Sequence, residues 1–191
     1  MSYSLSVIVD GLQGAIKEPR CLTALVNQSF IGRIEIIVPY DDNFPLLEQL
    51  LRPKFPDVRF VKLEGKRAYA ECRSAAVHLA TGDIVAITED HCIPQPEWAV
   101  NIIASHAQPH AVVGGAVDKL TPDTPLNWSL YLADYARYMN PRPAGPTHEL
   151  TDCNVTYKRA ALDAIAPVWQ TEFHEPEVHG ALAEQGNSLW F

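Results

Sequence analysis

The sequence predicts an α/β fold: a single domain built on a mostly parallel sheet with helices on both faces. Three observations carry this. Short apolar runs alternate with helix-period segments from residue 5 to residue 113, and β-α-β-α alternation is the pattern of a parallel sheet covered on both sides. The chain has 191 residues, 47% hydrophobic and 20% charged, enough to bury a full core in one domain. Finally, the apolar run Ile84-Val85-Ala86-Ile87-Thr88 ends abruptly in Glu89-Asp90-His91. Open α/β sheets bind ligands at such carboxyl ends.

Taken in order, a first strand at 5–9 precedes a helix at 19–29, with Leu22, Leu25 and Val26 on one face. A second strand at 34–38 leads to a short helix at 45–51 striped with Leu46, Leu47, Leu50 and Leu51. Residues 58–63 alternate less cleanly and read as an edge strand. The strongest helix covers 68–80, with Tyr69, Cys72, Ala76 and Leu79 at intervals of three and four, and Gly82 reads as its stop. The strand ending in the acidic cluster follows, and Pro94 and Pro96 force a turn before a helix at 97–107. A strand at 111–113 closes on Gly114-Gly115.

The second half departs from that rhythm. Residues 126–138 concentrate aromatics (Trp128, Tyr131, Tyr135, Tyr138) that form either helix core, the more ordinary outcome, or the wall of a binding cleft. The proline-rich 140–146 reads as an ordered turn or a mobile loop. A short strand at 152–157, a helix at 159–165, a polar helix at 177–185 and a strand-like 188–191 complete the chain. Ending on a strand suggests a piece of a larger parent domain.

Composition excludes some roles. Fifteen Lys and Arg against 23 Asp and Glu give a net charge of -8, which argues against duplex nucleic acid or an anionic membrane as main partner. No apolar run approaches the roughly 20 residues of a membrane span. Cys21, Cys72, Cys92 and Cys153 are scattered and read as reduced thiols. The start, Met1-Ser2-Tyr3, carries no basic region and does not read as a signal peptide. The expected location is the cytoplasm, including the cytoplasmic face of a membrane.

Several pieces, in order, carry a resemblance: SVIV near the start, EIIV before two aspartates, an Ala-rich helix with Arg73-Ser74, ATGDIVAITEDHCIPQPEW, Gly114-Gly115, DCNVTYKRAAL and HEPEVHGALAEQG. Together they resemble the inverting family 2 glycosyltransferases of GT-A fold, over nearly the whole chain. The resemblance implies one GT-A-like, Rossmann-like domain. Its nucleotide-sugar-binding half would be 1–115 and its acceptor half 116–191. It also implies transfer from a nucleoside-diphosphate sugar, first of all a UDP-sugar, to a saccharide, lipid or protein hydroxyl.

Such a transfer must neutralise charge growing on a pyrophosphate and take a proton from the acceptor. The resemblance assigns the first task to a divalent metal, Mn2+ or Mg2+, at Glu89, Asp90 and His91. Only Asp90 keeps the family's usual aspartate, and a neutral histidine suits Mn2+ better than Mg2+. Nucleotide contacts fall to Asp10, Asp41, Asp42, Lys66, Arg73 and Asp90. In the Asp10-Gly11-Leu12 turn the family's usual motif is absent, and Asp41-Asp42 reads equally well as turn chemistry. Glu175 takes the position of the catalytic base, with Glu177 the alternative one register away and His174 or His179 able to relay protons. Gly114, Gly115, Asp152 and Asn154 fall where the sugar and acceptor pocket is expected. Two other readings use the same cluster: a nucleotidyltransferase, and a catalytically silent nucleotide-sugar-binding module.

Overall fold

In the computed structural model, residues 4–11, 18–30 and 32–191 are described, and both Met1–Tyr3 and Leu12 lie outside them. Strand β1 (Leu5–Asp10) is buried along its whole length. Side chains alternate across a strand, so Leu5, Val7 and Val9 enter one apolar cluster and Ile8 enters another on the opposite face. Helices α1 (Arg20–Val26), α2 (Leu47–Leu51) and α4 (Trp98–His106) close the first cluster through Leu22, Leu25, Leu47, Leu51 and Ile102. Helices α3 (Tyr69–Leu79), α6 (Arg159–Ala164), α7 (Ala166–Trp169) and α8 (Glu175–Glu184) close the second through Ala76, Val77, Leu162, Trp169, Val178 and Leu182. Each leucine so buried contributes roughly 2 kcal/mol. Helices therefore cover both faces, as the alternation predicts.

The remaining strands are β2 (Ile34–Tyr40), β3 (Arg59–Lys62), β4 (Ile84–Glu89), β5 (Val112–Gly114), β6 (Pro146–Thr147), β7 (Val155–Lys158) and β8 (Leu189–Trp190). The sheet order is β3-β2-β1-β4-β7-β5-β8-β6. From β3 to β4 all neighbours are parallel, and β3 is the expected edge. Beyond β4 the sheet is mixed, because β7 runs antiparallel to both β4 and β5, and β6 antiparallel to β8.

Two local readings change and a third, left between two alternatives, is decided. Gly82 is not the helix stop, since α3 ends at Leu79 and Ala80 caps it. Its absent side chain instead lets the chain cross β1, where a Cβ would lie 2.6 Å from the Ser6 nitrogen. Helix α5 (Pro125–Tyr135) is not core: Tyr131 is its one buried residue, while Leu126 and Leu130 are 67% and 57% exposed. The proline-rich segment is an ordered turn, because Gly145 and Phe191 exchange backbone hydrogen bonds at 2.9 and 2.8 Å as β6 pairs with β8.

Two histidines belong to the interior. His106 lies 2.8 Å from Thr156 Oγ1, and His179 lies 2.9 Å from the Tyr157 hydroxyl. Burial pulls both imidazoles down to about 4, so they are neutral in the fold while the unfolded chain protonates near 6.5. Unfolding then takes up protons below that pH. Stability should fall as pH drops from about 6.5 toward 4, by about 1.4 kcal/mol per pH unit for each ring. Urea midpoints at pH 7.5, 6 and 5 check this, and a flat profile would refute it. His179 is buried against the Tyr157 hydroxyl rather than presented to solvent. Among the described residues, no helix is long and apolar enough to cross a membrane.

Candidate functional site

Strand parity decides which side chains meet at the carboxyl rim of the sheet. Register pairs Asp10 with Glu89. Asp10 shares the face of Ile8, and Glu89 the face of Val85 and Ile87, so both carboxylates stand on the α3 side. Tyr69 and Arg73 are four residues apart on α3 and share one stripe. Tyr69 Oη donates to Glu89 Oε1 at 2.9 Å, and Arg73 Nε donates to Asp10 Oδ2 at 2.7 Å. The guanidinium also lies 4.5 Å from the Tyr69 ring centre, a cation–π contact.

Arg73 is 1% exposed, and its other nitrogens reach Asp152 Oδ2 at 3.3 Å and the Glu175 carboxylate. One buried cation thus gathers three carboxylates from β1, the turn before β7 and the first residue of α8. Glu175 is drawn into this cluster, while Glu177 is exposed and His174 pairs outward with Glu172 at 3.0 Å.

The metal-triplet residues lie beside it. Glu89, Asp152 and Cys153 present ligand atoms within 4.8 Å of one another. Burial, and then the charge of Asp152, push the Glu89 carboxyl above its ordinary range. His91 Nδ1 stands 3.2 Å from Glu89 Oε2 and 3.9 Å from Asp90 Oδ1. Its ring is raised to about 9 by Cys153, and further by Glu89 and Asp90, so it is protonated at neutral pH. Asp90 is buried, and its backbone nitrogen donates to the Asp10 carbonyl at 2.9 Å. A divalent cation fits the paired carboxylates: it would relieve the repulsion between Glu89 and Asp152.

Other predicted residues hold the frame. Asp41 accepts from the Asn43 backbone, the Asn43 side chain and the Arg67 backbone at 2.9, 2.8 and 2.7 Å. Asp42 is exposed, pairs with Lys62 at 3.1 Å and accepts from Gly65 at 2.9 Å. These contacts tie the exit of β2 to the loop before α3, where Lys66 is exposed. Gly114 and Gly115 make room for protein: a Cβ there would lie 2.3 Å from Leu150 Cδ2 and 2.5 Å from Asn154 Nδ2. Asn154 in turn accepts from Trp98 Nε1 at 2.9 Å and donates to the Ala116 carbonyl at 3.1 Å.

A cavity of about 490 Å3 opens on the far side of His91. Its walls include Cys92, Pro94, Trp98, Val117, Leu130, Tyr131, Tyr135 and Asn154, which makes the aromatic stretch a cleft wall. Sequence reasoning missed Tyr69 and Cys153 as parts of the site. Only Tyr69 left a signal, its four-residue spacing from Arg73.

The sheet order and the rim of acids describe an open α/β domain with its candidate site at the carboxyl ends of the strands, and the sequence comparison decides the family. The model of glycosyl transferase family 2 matches residues 19–166. The chain belongs to glycosyl transferase family 2. No curated protein sequence matches this family 2 chain. Among solved structures it is similar to the mannosyltransferase PcManGT of Pyrobaculum calidifontis, in complex with GDP-Man and Mn2+. That match has a TM-score of 0.64 and 17% identity, over 98% of this chain and 53% of the other. It is also similar to TarS 1-349 of S. aureus in complex with UDP-GlcNAc, with a TM-score of 0.67 and 15% identity, over 99% and 56%. Such identities show a shared GT-A fold. This family 2 chain spans about half the length of these structures.

Proposed function

We propose that the chain binds a nucleoside-diphosphate sugar over the carboxyl ends of β1 and β4 and transfers the sugar, with inversion, to an acceptor hydroxyl. The observation that carries this is the convergence on Arg73 of Asp10, Asp152 and Glu175, beside Glu89 and His91. Donor-side and base-side carboxylates then share one rim. Family membership supports the reaction class. Solved neighbours bound to GDP-Man and UDP-GlcNAc support the donor class.

In this reading the carboxylates of Glu89 and Asp152 hold a divalent cation, which supplies positive charge for the diphosphate when bound. The Mn2+ of PcManGT supports that choice. Arg73 does not face the donor; it orients Glu175, which accepts the proton of the acceptor hydroxyl. The cavity between His91 and α5 takes the part of the acceptor away from the reacting hydroxyl, its aromatic wall suiting the apolar faces of a saccharide or a lipid-linked group.

Calorimetry with UDP-, GDP- and dTDP-sugars, with and without Mn2+, tests this. One donor class should bind, and EDTA should weaken it at least about tenfold. Absence of metal-dependent binding across the panel would sink the proposal. One observation favours the silent-module reading: the engagement of Glu175 by a buried arginine also suits a purely structural carboxylate. Tight donor binding without hydrolysis or transfer would select it.

A further inference from the structure

The sulfur atoms beside the candidate site are not used by that reaction. We infer that His91, Cys92 and Cys153 form a second cation site, one for a thiophilic metal such as Zn2+, distinct in ligand chemistry from the carboxylate set. One ring nitrogen and two sulfurs lie within 4.8 Å of one another. Tetrahedral zinc holds such atoms about 3.5–3.8 Å apart, and exposed His91 and half-buried Cys92 are the side chains with room to turn toward that spacing.

The positions are fixed by two anchored turns. Cys92 N donates to the Glu89 carbonyl at 3.0 Å, closing the turn that leaves β4. Thr88 Oγ1 donates to the Cys153 carbonyl at 2.9 Å, and the β4–β7 pairing holds both turns at one end of the sheet. All three residues line the 490 Å3 cavity, which gives the ion a path from solvent and leaves the fourth position to water. The Tyr135 hydroxyl, 3.4 Å from both His91 Nε2 and Cys153 Sγ, stands over the site as a hydrogen-bonding partner. Binding forms two metal–thiolate bonds and one metal–imidazole bond. The two thiol protons, and the proton held by His91, pass to solvent. Imidazole and thiolate donors select Zn2+ over Mg2+ or Mn2+.

The inference does not depend on the proposed transfer. The test uses the full chain, reduced, with Co2+ as spectroscopic probe and Zn2+ as competitor. One equivalent of Co2+ should give a thiolate-to-metal charge-transfer band that Zn2+ abolishes. Zn2+ should also shield Cys92 and Cys153 from alkylation, read by mass spectrometry, and leave the labelling of Cys21 and Cys72 unchanged. Losing a second-sphere partner already costs about 10–100-fold in affinity, so Cys92→Ser should weaken binding by at least that much, with Cys72→Ser as control. A Co2+ complex without the thiolate band, unshielded cysteines, or Cys92→Ser binding as wild type would each overturn the site. The shielding measurement needs no variant and stands if Cys92→Ser fails to fold.

Discussion

Replacing Arg73 with leucine should destabilise the protein by about 3–5 kcal/mol, the usual result of removing one partner of a buried ion pair. Asp10 is 3% exposed and the guanidinium 1%, so the substitution leaves a carboxylate in the interior for which, among the described residues, the Gly11 backbone nitrogen at 2.8 Å is the remaining donor. Asp152 loses the same cation but keeps access to water and contributes less, whereas Glu175, whose Oε1 is buried, adds to the loss. Urea unfolding at pH 7.5 measures the loss. Adding Asp10→Asn to Arg73→Leu should recover part of it, because the two sites are coupled. Arg73→Lys should fall between, since an ammonium cannot reproduce a guanidinium that contacts several carboxylates and a ring face. A loss below about 1 kcal/mol would mean that the cluster is not the keystone of the rim.

The second large effect concerns chemistry. Glu175→Gln should lower the transfer rate by about 10²–10⁴, the range for a positioned proton acceptor. Its donor affinity should stay near that of the unaltered chain, because Glu175 stands on the base side of the cluster. A fall in kcat with KM held separates this from a folding defect. Glu177→Gln, at an exposed position one turn edge away, should leave both unchanged. Turnover surviving Glu175→Gln but lost in Glu177→Gln would move the base by two residues.

Much of this architecture is legible in the residues themselves. Ile84 to Thr88 could only be a buried strand, and the acids after it fall at a sheet end by the rule that governs open α/β sheets. The α3 stripe likewise announces itself by spacing. What the sequence conceals is pairing across long separations. Nothing local says that Asp10 faces Glu89, or that an arginine amid Glu71, Cys72 and Ser74 is fully buried; a lone helix arginine ordinarily reads as a surface ion pair. Asp41 looks the same whether it closes a turn or meets a ligand, since three protein donors at its carboxylate appear only in three dimensions. The orientation of α5 was hidden because its leucines would serve a core equally well. The two-residue strands β6 and β8 lie below the length at which alternation can be read.

The reversed course of β7 gives the rim two kinds of margin. On β4 the functional residues come after the strand; on β7 they come before it, yet both groups reach the same edge. The two margins of the rim therefore belong to loops far apart in the chain, each stapled at its strand end by the same ladder of hydrogen bonds. Insertions ahead of Asp152 could remodel what the cleft accepts while Asp10 and Glu89 keep their spacing. On the proposed reading, a scaffold so arranged diversifies its acceptors without rebuilding its grip on the donor.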